Sequence, residues 1–218
     1  MKIAKNSKVV FIGDSITDFE RARPYGEGIG FRGDIGKSYV AIVDGLIKAS
    51  YPDAHLRVIN MGVSGNTTRD LKARWQTDVM DLKPDWLGIL IGINDVWRHF
   101  DTPHITENQV GIEEYRQNLT ELIEQALPIL GGGLVLITPY FMEQNKSDPM
   151  RQMMDAYGTV VKELAAKYGA VLVDLQAEFD RYFACNHPMS VNWDYIHPDL
   201  ASHVLIACAI LKQLDYAW

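Results

Sequence analysis

Cysteine is scarce in this chain of 218 residues, with Cys185 and Cys208 as its two examples. They form no Cys-x-x-Cys pair and have no histidine cluster beside them, which argues against a disulfide framework and against a zinc site. We expect both thiols to be buried and inert. We also expect the protein to work without a metal or an organic cofactor.

Long apolar runs and basic clusters are lacking as well. The longest apolar stretches, Leu87 to Ile93 and Leu134 to Met142, fall well short of the roughly 20 residues that cross a bilayer. A formal net charge of -7, with no run of Lys and Arg interleaved with aromatics, would repel a phosphate backbone. The amino terminus has no apolar segment typical of a secretory signal. These absences predict a cytoplasmic protein with no nucleic-acid partner and no membrane span.

The overall composition is that of an ordinary folded protein. Hydrophobic residues make up 47% and charged residues 22% of the chain, which excludes a disordered or fibrous class. The sequence has no internal repeat, linker or low-complexity tract. The length therefore predicts a single domain over residues 1–218.

Five short runs rich in Val, Ile and Leu are continuously apolar, which is typical of parallel strands that are buried on both faces. They are Lys8 to Ile12, Leu56 to Met61, Trp86 to Ile91, Leu134 to Thr138 and Ala170 to Val173. Apolar residues at helical spacing fill the segments Thr68 to Leu82, Ile112 to Leu127 and Pro149 to Tyr168, and Pro198 can open a last helix through Leu211. This alternation predicts a parallel α/β sheet whose ligands bind beyond the carboxyl ends of the strands.

The loop after the first apolar run carries a serine where a strand should turn into a helix. Residues 13–18 read Gly-Asp-Ser-Ile-Thr-Asp, so the hydroxyl of Ser15 can face the cleft. A nucleophilic serine needs such exposure. Serine is also a favoured helix N-cap, so this loop alone predicts either a cap or a nucleophile.

Two further loops follow the second and third apolar runs. Residues 60–67 read Asn-Met-Gly-Val-Ser-Gly-Asn-Thr, where a glycine N–H can point at a substrate oxygen that develops negative charge. Residues 92–95 read Gly-Ile-Asn-Asp, where the side chain of Asn94 can donate into the same space. Glycine and asparagine are also common in turns, so a turn is the alternative at both places.

The sharpest local pattern lies near the carboxyl terminus, where residues 193–198 read Trp-Asp-Tyr-Ile-His-Pro. An aspartate that accepts the Nδ1 proton of a histidine leaves Nε2 free to take a serine proton. Asp194 stands three residues before His197, and Pro198 disfavours helical backbone at that histidine. We therefore predict that His197 is a general base.

Two other Asp–His pairs occur at the four-residue spacing of helical neighbours. They are Asp95 with His99 and Asp199 with His203. Residues at this spacing lie side by side on a helix surface, so either pair could be an ordinary surface contact.

These four blocks, in this order and over nearly the whole chain, resemble the blocks of the SGNH/GDSL hydrolase superfamily. The resemblance implies a flavodoxin-like three-layer α/β/α sandwich with a five-stranded parallel sheet. It also implies that Ser15 is the nucleophile, His197 the general base and Asp194 the carboxylate that orients it. The implied oxyanion hole consists of the Ser15 N–H, the Gly65 N–H and the Asn94 side chain.

Longer stretches are similar to intracellular bacterial acetylxylan esterases of that superfamily, namely residues 11–18, 21–24, 70–75 and 92–98. This similarity implies an acetylated saccharide as partner and the removal of acetyl groups from xylo-oligosaccharides or related sugars through an acyl-enzyme. Superfamily members also act on lipids and thioesters, so an esterase, lipase or thioesterase for other short acyl groups is the alternative. The acidic Asp14 and Asp18 beside the serine make an anionic substrate less attractive.

Several aromatic residues near the predicted cleft can stack on sugar rings, although core packing is expected for at least half of them. They are Phe19, Trp97, Tyr140, Phe141 and Trp193. At the carboxyl terminus, Tyr216 and Trp218 can pack against another chain, which would make a homo-oligomer, or against their own domain.

Other function classes explain the blocks less well. A flavin carrier needs small, hydroxyl-rich residues in the first loop, where Asp14 and Asp18 stand. A signalling receiver domain leaves Asp194 and His197 without a role. A carbohydrate-binding module without catalysis gives no reason for a serine, an asparagine and a histidine to coincide.

Overall fold

A sheet of parallel strands organises the described part of the chain. The structure is a computed structural model that describes residues 1–28 and 34–218. The strands are β1 (Lys8–Gly13), β2 (Arg57–Gly62), β3 (Trp86–Leu90), β4 (Gly133–Ile137) and β5 (Val171–Val173). Their order in the sheet is β2-β1-β3-β4-β5, and every neighbouring pair is parallel. This is the doubly wound, flavodoxin-like order, and it confirms the predicted fold class.

Helices cover both faces of the sheet. They are α1 (Ser15–Asp18), α2 (Tyr39–Ser50), α3 (Thr68–Trp75), α4 (Ile93–Asp101), α5 (Ile112–Ala126), α6 (Pro149–Tyr168), α7 (Leu175–Phe183) and α8 (Leu200–Gln213). Helix α8 packs against α2 and α7, whereas α5 packs against α3 and α6. The sheet is therefore the middle of three layers, as continuously apolar strands require.

The apolar runs predicted the strands closely, because burial on both faces removes polar residues from their interiors. All five predicted strands start and end within one residue of the observed ones, and α6 has the predicted bounds. Helices α2, α4 and α7 were not predicted. Because α4 begins at Ile93, Asn94 lies in the first turn of a helix and not in the turn that its residue type suggested.

The expectation that both cysteines are buried is wrong for Cys185. This thiol is exposed, because it lies just beyond the end of α7, where the chain has left the packed helical layer. Cys208 is half-buried on α8, and burial raises the pKa of its thiol. Both thiols are free.

The carboxyl terminus packs on its own domain through Tyr216. The Tyr216 ring is buried, and its hydroxyl donates to the Leu46 carbonyl at 3.2 Å. Trp218 contacts that ring edge-on and is itself 71% exposed. None of the helices among residues 1–28 and 34–218 combines the length and the hydrophobicity that a membrane span requires.

Candidate active site

Three neighbouring strands end at one edge of the sheet, and three of the predicted residues follow within four positions of these ends. Ser15 comes two residues after β1, Gly65 three residues after β2 and Asn94 four residues after β3. Strand β1 lies between the other two, so their carboxyl ends are adjacent. The topology therefore gathers residues that are far apart in the sequence.

Ser15, His197 and Asp194 form a continuous hydrogen-bonded series across this edge. The Ser15 Oγ lies 2.9 Å from His197 Nε2, and His197 Nδ1 lies 2.6 Å from Asp194 Oδ2. A histidine whose Nδ1–H donates to the aspartate leaves Nε2 able to accept from the serine. The structure thus brings together the three residues that the sequence indicated.

Backbone groups hold the Asp194 carboxylate in place. Its Oδ1 accepts from the backbone N–H of Ile196 at 2.9 Å and from that of His197 at 3.0 Å. Burial by itself raises the pKa of Asp194, but the hydrogen bonds from the His197 ring and the two N–H groups outweigh it, and the pKa lies below its ordinary value. The carboxylate is therefore ionised at neutral pH and supports a positive charge on the imidazole.

Ser15 is the first residue of α1 and not its cap. The N-cap is Asp14, whose carboxylate accepts from the Ile16 N–H at 3.0 Å. The alternative of Ser15 as an N-cap is therefore wrong, and its hydroxyl is free to point at the histidine.

The other Asp–His pairs are structural and lie outside this series. Asp199 caps α8 by accepting from the Ser202 N–H at 2.8 Å, while the buried His203 accepts from the Tyr39 N–H through Nδ1 at 3.1 Å. Asp95 is fully buried and accepts from Thr68 instead of contacting His99. Neither pair is the surface contact that helical spacing suggested.

Gly65 and Asn94 each have an N–H group that donates to no acceptor among the described residues. Gly65 adopts a φ of 82°, a conformation that favours glycine, and no acceptor in residues 1–28 or 34–218 occupies its N–H. One amide hydrogen of Asn94 donates to the Asn66 carbonyl at 3.0 Å, and its Oδ1 accepts from Arg98 at 2.9 Å. A side-chain amide has two hydrogens, so one is left for a ligand.

Comparison with known proteins places this geometry in a family. The GDSL-like Lipase/Acylhydrolase family matches residues 11–205, which include the serine, the glycine loop, the asparagine and the Asp–His pair. The chain belongs to this family.

Relatives of this GDSL-like acylhydrolase match it along its whole length. An acetylxylan esterase of Geobacillus stearothermophilus is 48% identical over 218 residues, which cover 100% of this chain and 98% of that protein. A crystal structure of an acetylxylan esterase from the same organism has a TM-score of 0.96, with 47% identity, over 100% of this chain and 98% of that one. An alpha/beta hydrolase from the metagenome of Lake Arreo has a TM-score of 0.95, with 47% identity, over 99% of this chain and 98% of that one. Solved variants described as catalytic mutants of that acetylxylan esterase replace a serine, a histidine or an aspartate by alanine.

Two arginines that the sequence did not reveal as functional support the site of this GDSL-like fold. Arg74 donates to the carbonyls of Gly13 and Met61 and, through Nε, to the Asn66 side chain, so it ties the ends of β1 and β2 together. Arg98 orients Asn94, as described above. Both arginines lie in stretches that are similar to acetylxylan esterases, but a positive charge in a sequence does not reveal that carbonyls surround it.

The aromatic residues divide between the core and the site. Tyr140 and Phe141 are buried, and Tyr140 stacks on Phe179, so a role in sugar stacking is wrong for these two. Trp97 is half-buried, and its ring centroid lies 6.3 Å from that of His197. Trp193 is 83% exposed beside Asp194. These two tryptophans remain available to a ligand of this acylhydrolase.

A polar cavity of about 360 Å³ opens beside Gly65. Apart from this glycine, its lining consists of polar and charged residues, namely Thr67, Arg69, Asp70, Arg98, Glu107 and Asn108. Arg69 holds one wall by donating to the carbonyls of Glu107 and Gln109. Such a lining suits a hydroxyl-rich ligand better than an acyl chain of many carbons.

Asp14 has a buried carboxyl group and directly precedes Ser15. Its burial leads us to predict that the stability of the protein depends on pH. Its Oδ2 has no hydrogen-bond partner among the described residues. Burial, reinforced by the negative charge of Asp95, raises the pKa of Asp14 to about 7, against the lowering effects of Ile16 and Arg74. The folded state therefore retains a proton that the unfolded state releases near the ordinary pKa, and stability declines as the pH rises through about 7.

We expect Asp14→Asn to remove this decline, because asparagine remains a good N-cap and carries no charge. Between about pH 5 and about pH 8 the wild type should lose roughly 2 to 3 kcal/mol more unfolding free energy than the variant does. Denaturant unfolding of both proteins at the two pH values measures this difference. Parallel pH dependences would show that Asp14 does not titrate in the folded state over this range.

Proposed function

We propose that this chain is a serine esterase that removes acetyl groups from acetylated xylo-oligosaccharides or related sugars. The observation that carries the proposal is the hydrogen-bonded series from Ser15 through His197 to Asp194 at the carboxyl edge of the sheet. Ser15 is the nucleophile, His197 the general base and Asp194 the group that orients it. The proposal treats residues 1–218 as one catalytic domain, which the continuous central sheet supports.

Acylation begins when the Ser15 hydroxyl attacks the ester carbonyl while His197 Nε2 takes its proton. The ionised Asp194 carboxylate stabilises the imidazolium that forms. His197 then gives the proton to the departing sugar hydroxyl, and the acetyl group stays on Ser15. Water, activated by the same histidine, releases acetate and restores the serine.

The oxyanion formed in both steps needs donors that are already in position. We assign this role to the N–H groups of Ser15 and Gly65 and to the free amide hydrogen of Asn94. The Gly65 N–H lies in the loop after β2, which Arg74 supports through Asn66. The Asn94 amide lies in the first turn of α4, where Arg98 donates to its oxygen. The reaction that we propose uses no metal or cofactor.

Two observations support the substrate class. Full-length similarity links this chain to a protein named acetylxylan esterase. The cavity beside Gly65 has a polar lining that matches sugar hydroxyls. We also propose a cytoplasmic location, which rests on the sequence features alone. Self-association is a further hypothesis, supported by the exposed ring of Trp218.

Acetate release from acetylated xylo-oligosaccharides tests the substrate. We expect the protein to release acetate from these sugars and to hydrolyse p-nitrophenyl acetate much faster than p-nitrophenyl decanoate, because the polar cavity offers a long acyl chain no apolar surface on which to be buried. Comparable turnover of the long-chain ester would favour a lipase. Activity on the simple acetyl ester without activity on the sugar would keep the mechanism and overturn the substrate.

A further inference from the structure

Asp18 is a buried carboxylate that the proposed mechanism does not use. It is the last residue of α1, one helical turn after Ser15, and it is 4% exposed. Four donors surround its two oxygens. Arg23 donates through Nη1 at 3.1 Å and Nη2 at 2.7 Å, and Ser64 donates through its backbone N–H at 3.0 Å and its hydroxyl at 2.9 Å.

This environment keeps Asp18 ionised. Burial alone raises the pKa of Asp18, but the hydrogen bonds from Arg23 and Ser64 outweigh it, and the pKa lies below its ordinary value. Arg23 balances the charge, although its own side chain is half exposed. A charged acceptor makes stronger hydrogen bonds than a neutral one, so the contact with Ser64 is a firm one.

Ser64 directly precedes Gly65, and the residue on the other side of Gly65 is held as well. The carbonyl of Asn66 accepts from Asn94, and its side chain accepts from Arg74 at 2.7 Å. Gly65 therefore sits between two anchored neighbours, of which Asp18 anchors the first. Its φ of 82° is a conformation that the anchors maintain and that glycine allows without strain.

The end of β2 also presses directly on the backbone of Asp18. A Cβ added to Gly62 would lie 2.2 Å from the Asp18 N, so only glycine permits this approach. The loop that carries Gly65 thus rests on the helix that begins at Ser15. This close packing fixes the backbone of Asp18 relative to the strand end from which the loop starts.

We propose that Asp18 is a positioning residue. Through its hydrogen bonds to Ser64, it fixes the position of the Gly65 N–H relative to the Ser15 hydroxyl. The inference rests on the proposed esterase function, in which the Gly65 N–H stabilises the oxyanion. A donor that is displaced from the oxyanion loses most of its contribution, and a shift near 1 Å can be costly in rate.

A purely structural role would give a different result. Buried ion pairs often contribute little net stability, whereas removal of one partner leaves the other without compensation. A structural Asp18 would lower the fraction of folded protein and leave the turnover of each folded site unchanged. A positioning Asp18 lowers kcat in the folded protein and leaves KM nearly constant, because the oxyanion forms only after the substrate has bound.

The experiment compares Asp18→Ala, Asp18→Asn and Ser64→Ala with the wild type on p-nitrophenyl acetate. Reactive serines are counted by complete labelling with an organophosphate and mass spectrometry, so kcat refers to competent sites alone. We expect Asp18→Ala to lower kcat by about 10- to 100-fold with KM changed less than about twofold. Asp18→Asn and Ser64→Ala should lower kcat by less, because each retains part of the contact.

Asp85→Asn is the matched control. Asp85 also accepts a backbone N–H, that of Lys8 at 2.7 Å, but it lies at the amino edge of the sheet, opposite the site. We expect this variant to keep the wild-type kcat. If Asp18→Ala does not fold, Asp18→Asn and Ser64→Ala carry the test. A wild-type kcat for each labelled site in the folded Asp18 and Ser64 variants would overturn the proposal, whereas activity that survives in Ser15→Ala would overturn the esterase mechanism itself.

Discussion

Replacing Ser15 by alanine should abolish ester hydrolysis in a protein that remains folded. In the proposed mechanism the variant lacks the oxygen that attacks the ester, and the N–H groups of the oxyanion hole cannot act as a nucleophile in its place. We expect kcat on p-nitrophenyl acetate to fall by at least about 10⁴-fold. The substitution removes one hydrogen bond, from Ser15 Oγ to His197, so the unfolding free energy should change by only about 1 kcal/mol.

Ser190→Ala provides the control for this result. Ser190 is an exposed serine whose hydroxyl donates to the His187 carbonyl at 2.7 Å, so the variant also loses one hydroxyl and one hydrogen bond. We expect it to hydrolyse the ester at the wild-type rate. Near-normal turnover by the Ser15 variant, in protein freed of contaminating esterases, would refute the role of Ser15 as nucleophile.

Replacing Asn94 by alanine should have the second largest effect. In the proposed mechanism the free amide hydrogen of Asn94 donates to the oxyanion, and the other amide hydrogen holds the Asn66 carbonyl beside Gly65. Removal of one oxyanion donor lowers kcat by on the order of 10²- to 10³-fold. Steady-state kinetics on p-nitrophenyl acetate should show this loss mainly in kcat, because the oxyanion is absent from the bound ground state.

Asn118→Ala separates this effect from general destabilisation. Asn118 is an equally buried asparagine on α5, and it donates to the Thr68 hydroxyl at 3.1 Å. We expect its loss to lower the unfolding temperature while kcat stays close to that of the wild type. If Asn94→Ala retains a wild-type kcat, Asn94 serves only to brace the loop that carries Gly65, through its hydrogen bond to the Asn66 carbonyl.

Both the strands and the residues proposed to act in catalysis could be predicted from the sequence, each for a physical reason. A strand covered on both faces must be apolar throughout, so runs such as Trp86 to Ile91 marked the sheet. Asp194 stands three residues before His197, and a pair this close in sequence can make its contact within a single loop. The structure confirms that contact at 2.6 Å.

The contacts of residues whose partners are distant in the sequence could not be predicted in this way. Asp18 looked like an acid beside the nucleophile, whereas the fold pairs it with Arg23 and Ser64. His203 stood at helical spacing from Asp199, yet its ring faces Tyr39 across the interface between α8 and α2. A side chain's partner across an interface depends on how elements pack, and spacing along one element does not contain that information.

By itself, the sequence determined the five strands, the helices α3, α5, α6 and α8, the motifs that contain the serine, asparagine, aspartate and histidine, and the family resemblance that these motifs carry. These are local properties, set by hydrophobic periodicity and by short motifs. Only the tertiary structure decided that β1 lies between β2 and β3, so that Ser15, Gly65 and Asn94 meet at one edge. It also decided which charged groups are buried and how their pKa values shift, because desolvation and hydrogen bonding depend on neighbours brought together by folding.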